Sequence, residues 1–257
     1  MNIGLKLWST NIEYYAKEAL CLYEQGYCSY VELYAVPGTF EETAVAWKNL
    51  NIPYTLHCPH FAHGFNLGKS KLRESNRKKF EEVRKFADLL NVDYIIIHGG
   101  IDGEAEETAK QLKDLNEPRA LIENKPYKAV PVIAPGKTCV GYSPEQIEMI
   151  KRVSGCGFCL DFNHAICAAN SFNYNYIDYI KRFMALKPDM FHLSDLPDKK
   201  TEYDGHFHLG EGQIDLKSIA QFMNKDSKVS LETAKNSRTS LEDFIKDSEY
   251  YSKLMEK

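Results

Sequence analysis

Gly157-Phe158-Cys159-Leu160-Asp161-Phe162-Asn163-His164 is a short apolar strand that ends in chemistry. Phe158 and Leu160 supply the buried character, and Asp161 and His164 follow where the strand is expected to run into a loop. A carboxylate and an imidazole so placed can bind a metal together, work as an acid/base pair, or leave the Asp as an ordinary strand-end cap. The pattern recurs: apolar runs end in a candidate ligand at Tyr54-Thr55-Leu56-His57, Ile95-Ile96-Ile97-His98, Leu121-Ile122-Glu123, Met190-Phe191-His192 and Val229-Ser230-Leu231-Glu232.

Between these runs lie helical patterns. Asn2 to Trp8 alternates loosely, and Thr10 and Glu13 have capping-box spacing ahead of an amphipathic run ending near Gly26. Tyr30 to Val36 reads as the second strand with a helix from Thr39 to Asn51, and Pro53 to Cys58 as the third with a long helix from Lys69 to Leu90. Tyr94 to His98 is the fourth strand, followed by a helix from Glu104 to Leu115, and Arg119 to Asn124 is the fifth. Ser143-Pro144-Glu145-Gln146 then opens a helix with an N-cap, a Pro at N1 and an acidic first turn. After the sixth strand come a helix from Tyr176 to Leu186, a strand from Asp189 to Ser194, a helix from Asp215 to Asn224, a strand from Lys228 to Thr233 and a last helix from Ser240.

Such an alternation, with short and nearly unbroken apolar strands, predicts the α/β class and a single parallel (β/α)8 TIM barrel, one domain over residues 1–257. An open doubly wound sheet is the competing arrangement. In a barrel, His57, His98, Glu123, Asp161, His192 and Glu232 all fall at the C-terminal strand ends, where catalytic groups sit. Converging carboxylates repel one another without a compensating cation, which predicts a polynuclear metal site.

Composition narrows the partners. With 44% hydrophobic and 26% charged residues the chain is ordinary globular material, and a net charge of −4 gives no general drive toward nucleic acid or an anionic membrane. Seven cysteines, an odd number without a repeating framework, read as reduced thiols in a cytoplasmic protein, and the lone Cys156-Gly-Phe-Cys159 does not make a redox or zinc-knuckle motif. The N-terminus lacks a basic segment followed by a long apolar one, and no apolar run approaches the ~18 residues of a membrane span, so neither export nor membrane association is expected. Lys125 to Tyr142, with three Pro and two Gly, reads as a lid or substrate-contacting loop. Asp204-Gly205-His206-Phe207-His208 lies on the other long connection, either as a metal-binding run or as a polar solvated loop.

With these residues in view, the chain resembles the endonuclease IV, or AP endonuclease family 2, branch of the xylose-isomerase-like TIM barrels, over roughly residues 54–234. The motifs that carry the resemblance are His57-Cys58-Pro59-His60 ahead of Asn66-Leu67-Gly68, His98-Gly99-Gly100, Ile122-Glu123-Asn124, Asp161-Phe-Asn-His164, His192-Leu-Ser-Asp195, Asp204-Gly-His206 and Leu231-Glu232-Thr233. The resemblance implies a first metal on His57, His98 and Glu123, and a second on Glu123 as a bridge with Asp161, His192 and Glu232. A third falls on His164, Asp204 and His206. The His-x-Pro pattern and the strand end favour His57, whereas counting back from Asn66-Leu67-Gly68 selects His60. The cofactor implied is Zn2+, two or three ions, with Mn2+ also compatible with mixed His and carboxylate donors.

The activity implied is phosphoester hydrolysis with a metal-bound hydroxide as nucleophile, Glu123 and Glu232 being the catalytic carboxylates and Glu232 orienting or deprotonating the water. The substrate is then a small phosphoester or a nucleic acid, abasic-site DNA being the one the resemblance names. Gly205 in place of the family's Arg, and Asp102, Glu104, Glu106 and Glu107 after the fourth strand, weigh against a DNA duplex. The basic run from Lys69 to Lys85, interspersed with Glu74, Glu81 and Glu82, reads as a solvated helix. The alternative is a sugar isomerase or epimerase of the same superfamily, with one ion on Glu123, Asp161, His192 and Glu232, and two Glu exchanging a proton with the substrate carbon. Rim aromatics Phe61, Phe65, Tyr142, Phe172 and Phe207 would suit a sugar ring or a base. A barrel that keeps its ligands only for structure or binding is the non-enzymatic reading. Metal content per chain separates the first two.

Overall fold

Eight parallel strands close on themselves in chain order: β1 (Asn2–Trp8), β2 (Tyr30–Tyr34), β3 (Tyr54–His57), β4 (Ile95–His98), β5 (Ala120–Glu123), β6 (Gly157–Asp161), β7 (Met190–Leu193) and β8 (Lys228–Leu231). Leu5 of β1 pairs with Val31 on one side and Leu231 on the other, which closes the barrel and sets aside the open sheet. These are features of a computed structural model that describes residues 1–256.

The helices outside are α1 (Ile12–Glu24), α2 (Phe40–Lys48), α3 (Arg73–Leu90), α4 (Ala105–Leu115), α5 (Pro144–Ser154), α6 (Phe162–Ser171), α7 (Tyr176–Met184), α8 (Leu216–Ala220) and α9 (Glu242–Met255). No helix among the described residues is long and apolar enough to cross a membrane. Ser143 caps α5 by accepting from the Gln146 N–H, as its sequence predicts. Thr10 does not cap α1; a short 3-10 turn over Ser9–Asn11 precedes it, and Asn11 Oδ1 takes the Trp8 N–H at 2.7 Å. The Asp215 helix is also shorter than its pattern suggests, ending at Ala220. The larger correction is at the opening stretch. Asp161 runs into a helix, not a loop, and caps α6 by accepting from the His164 N–H at 2.7 Å.

Two apolar regions use the two faces of each strand. Leu5, Val31, Leu33, Leu56, Ile95, Ile97, Ile122, Phe158, Leu160 and Val229 face outward into the shell shared with the helices. Ile96, Leu121, Cys159 and Met190 form a separate small cluster inside the barrel. Since side chains alternate along a strand, the next inward position after each of these four is His98, Glu123, Asp161 and His192. A thin apolar plug therefore sits directly beneath the ionisable layer.

Candidate metal centre

The inward layer above that plug is continued by Lys6, Glu32, His57 and Glu232, each two residues beyond Gly4, Tyr30, Thr55 and Ser230. Adjacent strands bring Lys6 beside Glu32, His98 beside Glu123 and Asp161 beside His192. Three groups of ligand atoms lie within 4.8 Å of one another: His57, His98 and Glu123; Glu123, Asp161 and His192; and Glu32, His192 and Glu232. Glu123 belongs to two of them and divides its oxygens between them. Its Oε2 lies 3.2 Å from His57 Nε2 and 2.8 Å from His98 Nε2, while Oε1 lies 2.9 Å from His164 Nδ1 and 3.6 Å from His192 Nδ1.

The imidazoles are held from behind. His57 Nδ1–H donates to the Cys58 carbonyl at 2.7 Å, His164 Nδ1–H to the Asn124 carbonyl at 2.9 Å, and His192 Nε2–H to Glu32 Oε2 at 2.9 Å. In each ring the other nitrogen is left facing a carboxylate, the arrangement that orients a metal-binding His and sets its tautomer. Among the described residues, His192 Nδ1 is 2.9 Å from Glu232 Oε1 yet makes no hydrogen bond, and Asp204 Oδ1 is likewise buried without a partner. Ligand atoms that converge and leave two of their number unsatisfied fit a divalent cation between them. The charge balance agrees: burial, together with repulsion from Glu123, Asp204 and Glu232, pushes Asp161 up to about 6 despite the pull of His164.

Two residues that sequence reasoning passed over complete this layer. Glu32 is fully buried, and against the cost of burial His192 and Lys6 hold its carboxyl down to about 2. Lys6 Nζ bonds Glu32 Oε1 at 2.5 Å and also Glu232, while the Ser230 hydroxyl donates to Glu32. Their signal was present as one charged residue between apolar neighbours in each of Leu5-Lys6-Leu7 and Val31-Glu32-Leu33. Lys125, the first residue of the 125–142 loop, reaches the layer too, its Nζ 2.9 Å from His164 Nε2 and 3.4 Å from His98 Nε2.

The remaining sequence candidates separate. His164 Nε2 and His206 Nε2 lie 3.0 and 3.5 Å from the same Asp204 oxygen, so this set meets only through Asp204, and the His206 side chain stays 45% exposed. His208 leaves the Asp-x-His-x-His run and pairs through Nδ1 with Asp247 on α9 at 2.8 Å. Asp195 anchors the loop by accepting from the N–H groups of Leu196, Gly210, Gly212 and Ile214. His60 lines the cavity above and stacks on His98 with ring centroids 6.1 Å apart, but its Nδ1 is taken by its own loop, accepting from the Ala62 N–H at 3.1 Å. Asn66 bonds the Ile101 carbonyl at 2.8 Å, and Gly100 beside it has φ +110 and no room for a Cβ, which would fall 2.0 Å from Asn66 Oδ1. The Asn-Leu-Gly motif is thus a brace between loops and carries no register for a ligand. His57→Ala is accordingly expected to remove one bound ion per chain and His60→Ala none, as read by elemental analysis; the reverse pattern would move the ligand to His60.

Above the layer opens a cavity of about 690 Å³. Pro126, Ala129, Val130 and Ile133 wall it from the 125–142 loop, whose backbone is pinned by Lys125 N–H to the Gly141 carbonyl and Cys139 N–H to the Tyr127 carbonyl. The aromatic wall is not the predicted one. Phe61 lines the cavity, but Phe65 is core and Tyr142 and Phe172 pack on Tyr127; Trp8 and Tyr34, stacked at 4.9 Å, take their place. The acidic loop after β4 is partly neutralised, Asp102 by Lys69 and Lys137, and Glu107 by Arg73.

Comparison with known proteins places this geometry. Residues 29–253 match the family described as xylose isomerase-like TIM barrel. Over 192 residues the chain is 25% identical to the "Probable endonuclease 4" of Halothermothrix orenii, covering 65% of this chain and 66% of that one, just under two thirds of the relative's length. Among solved structures, a D-tagatose 3-epimerase-like protein superposes with a TM-score of 0.75 at 16% identity, over 100% of this chain and 97% of the other. The IOLI protein with a binding zinc atom does so with a TM-score of 0.70 at 19% identity, over 99% and 98%. At such identities the structural likeness speaks for the fold.

Proposed function

The chain belongs to the xylose isomerase-like TIM-barrel family, and from that premise we propose that it is a divalent-metal-dependent hydrolase of small phosphoesters. The observation that carries this reading is Glu123, whose two oxygens face two different ligand groups and so suit a carboxylate shared by a pair of ions. His57, His98 and Glu123 would hold one ion and Glu123, Asp161, His192 and Glu232 another; His164, Asp204 and His206 are the candidates for a third. Zn2+ suits these donors, and Mn2+ is compatible with them. When bound, such ions supply Lewis acidity toward phosphoryl oxygens and a water nucleophile at neutral pH.

The chain's own residues supply the rest. Glu232 lines the cavity and, against the cost of burial, His192 and Lys6 keep it ionised, so it is suited to orient a water and take its proton. Lys125 places a cationic group beside His98 and His164 where phosphoryl charge would develop. A cavity of about 690 Å³ is of small-molecule size, and the 125–142 loop closes one side of it, which favours a compact phosphoester over a duplex.

The test is a cleavage assay on Zn- or Mn-loaded protein with generic phosphoesters, an abasic-site duplex and a panel of ketoses. Phosphoester cleavage that disappears with Glu232→Gln is expected. Efficient incision of the abasic duplex would name DNA as the substrate. Ketose interconversion supported by a single ion would replace hydrolysis with the isomerase or epimerase chemistry that the same four residues could serve.

A further inference from the structure

The loop between β8 and α9 also lines the cavity, contributing Thr233, Ala234, Lys235 and Arg238. Its backbone is fixed: the Ala234 N–H donates to the His206 carbonyl at 3.0 Å, the Ser237 carbonyl accepts from the Tyr15 hydroxyl, and the Leu241 N–H bonds Glu18. On this wall three donors have no acidic partner among the described residues. The Thr233 hydroxyl is buried in that wall and makes no hydrogen bond among the described residues. Among the described residues Lys235 Nζ hydrogen-bonds only the Thr233 carbonyl, at 2.6 Å, and burial pushes its ammonium down to about 8. Arg238 has no hydrogen bond or ion pair among the described residues.

The carboxylates closest in charge to Lys235 are already engaged: Asp247 with His208, Glu232 with Lys6, and Asp243 with the Asn236 N–H. A hydroxyl, an ammonium and a guanidinium that share a cavity wall and lack an anion are matched by a phosphate or carboxylate. Loops after the last strands are also where TIM barrels commonly hold phosphate.

We infer that Thr233, Lys235 and Arg238 form a subsite for a remote acidic group on a small substrate, separate from the group presented to the metal centre. The inference rests on the cavity being a substrate site, as proposed above, and it narrows the substrate to a molecule with an acidic group at its distal end. The stacked Trp8 and Tyr34, in the same lining, offer a face for the carbon chain between the two ends.

Calorimetric titration of Zn-loaded protein with fructose, a non-hydrolysable 6-phosphonate of fructose, and glucuronate tests this. The acidic ligands are expected to bind about 30-fold more tightly than fructose, the scale of charge-assisted hydrogen bonding. Lys235→Met/Arg238→Met should erase that margin with zinc content and melting temperature unchanged, and Thr233→Val should reduce it several-fold. The larger margin identifies the acidic group as phosphate-like or carboxylate. A margin that survives the double variant would mean that the metal centre alone holds the anion and would overturn the subsite, as would the absence of any margin in the unaltered protein. Because the readout is binding, a protein that shows the margin yet cleaves no phosphoester would retire the hydrolase reading and keep the subsite.

Discussion

Glu123→Gln is expected to lower the bound metal from at least two ions per chain to at most one and to reduce phosphoester cleavage by about three orders of magnitude or more, as loss of several kcal/mol of metal-assisted stabilisation requires. The reason is geometric: Oε2 serves the His57 and His98 side while Oε1 serves the His192 side, and an amide offers only one good acceptor. Elemental analysis and the phosphoester assay read the two effects on one preparation. A variant that keeps both ions would show that Glu123 is not shared. One that loses an ion but keeps full activity would show that a single ion suffices, the condition under which the sugar-isomerising reading gains.

Lys6→Met should have the largest effect on stability. Glu32 is fully buried and Glu232 nearly so, and Lys6 is the ammonium between them. Removing one partner of a buried charge group costs about 3–5 kcal/mol, because the remaining charge keeps its desolvation penalty. In a chain of this size that lowers the melting temperature by roughly 10 °C. The measurement is thermal unfolding of metal-free protein, and Lys6→Met/Glu32→Gln should recover most of the loss, since it removes the charge of the more deeply buried of the two stranded carboxylates. An unchanged melting temperature in the single variant would show that His192 and Ser230 alone suffice to hold Glu32.

The barrel was legible because its signals are local. Short apolar strands, each followed by a helix pattern, need no knowledge of distant residues, and a His or carboxylate at a strand end is recognisable from a few neighbours. His98, Glu123, Asp161, His192 and Glu232 could all be found in this way. The helix after Asp161 escaped because Phe162 to Ala169 is buried on every side, the polar Asn163 and His164 included, so it lacks the amphipathic alternation that marks a surface helix.

What the sequence alone determined is thus the fold class and the identity of most residues at the barrel mouth. Only the tertiary structure decided which of them meet. Lys6 and Glu32 read as charged residues stranded within apolar runs, and they enter the ionisable layer only because strand pairing sets Lys6 beside Glu32 and, one residue past Leu5 and Leu231, beside Glu232. The same non-local pairing turned His57 toward Glu123 and left His60 to its loop, and it sent His208 to Asp247 while Asp204 stayed at the mouth. Loop length and residue type are written locally, but where a side chain points depends on packing from elements far away in the chain, and that information exists only once the barrel has closed.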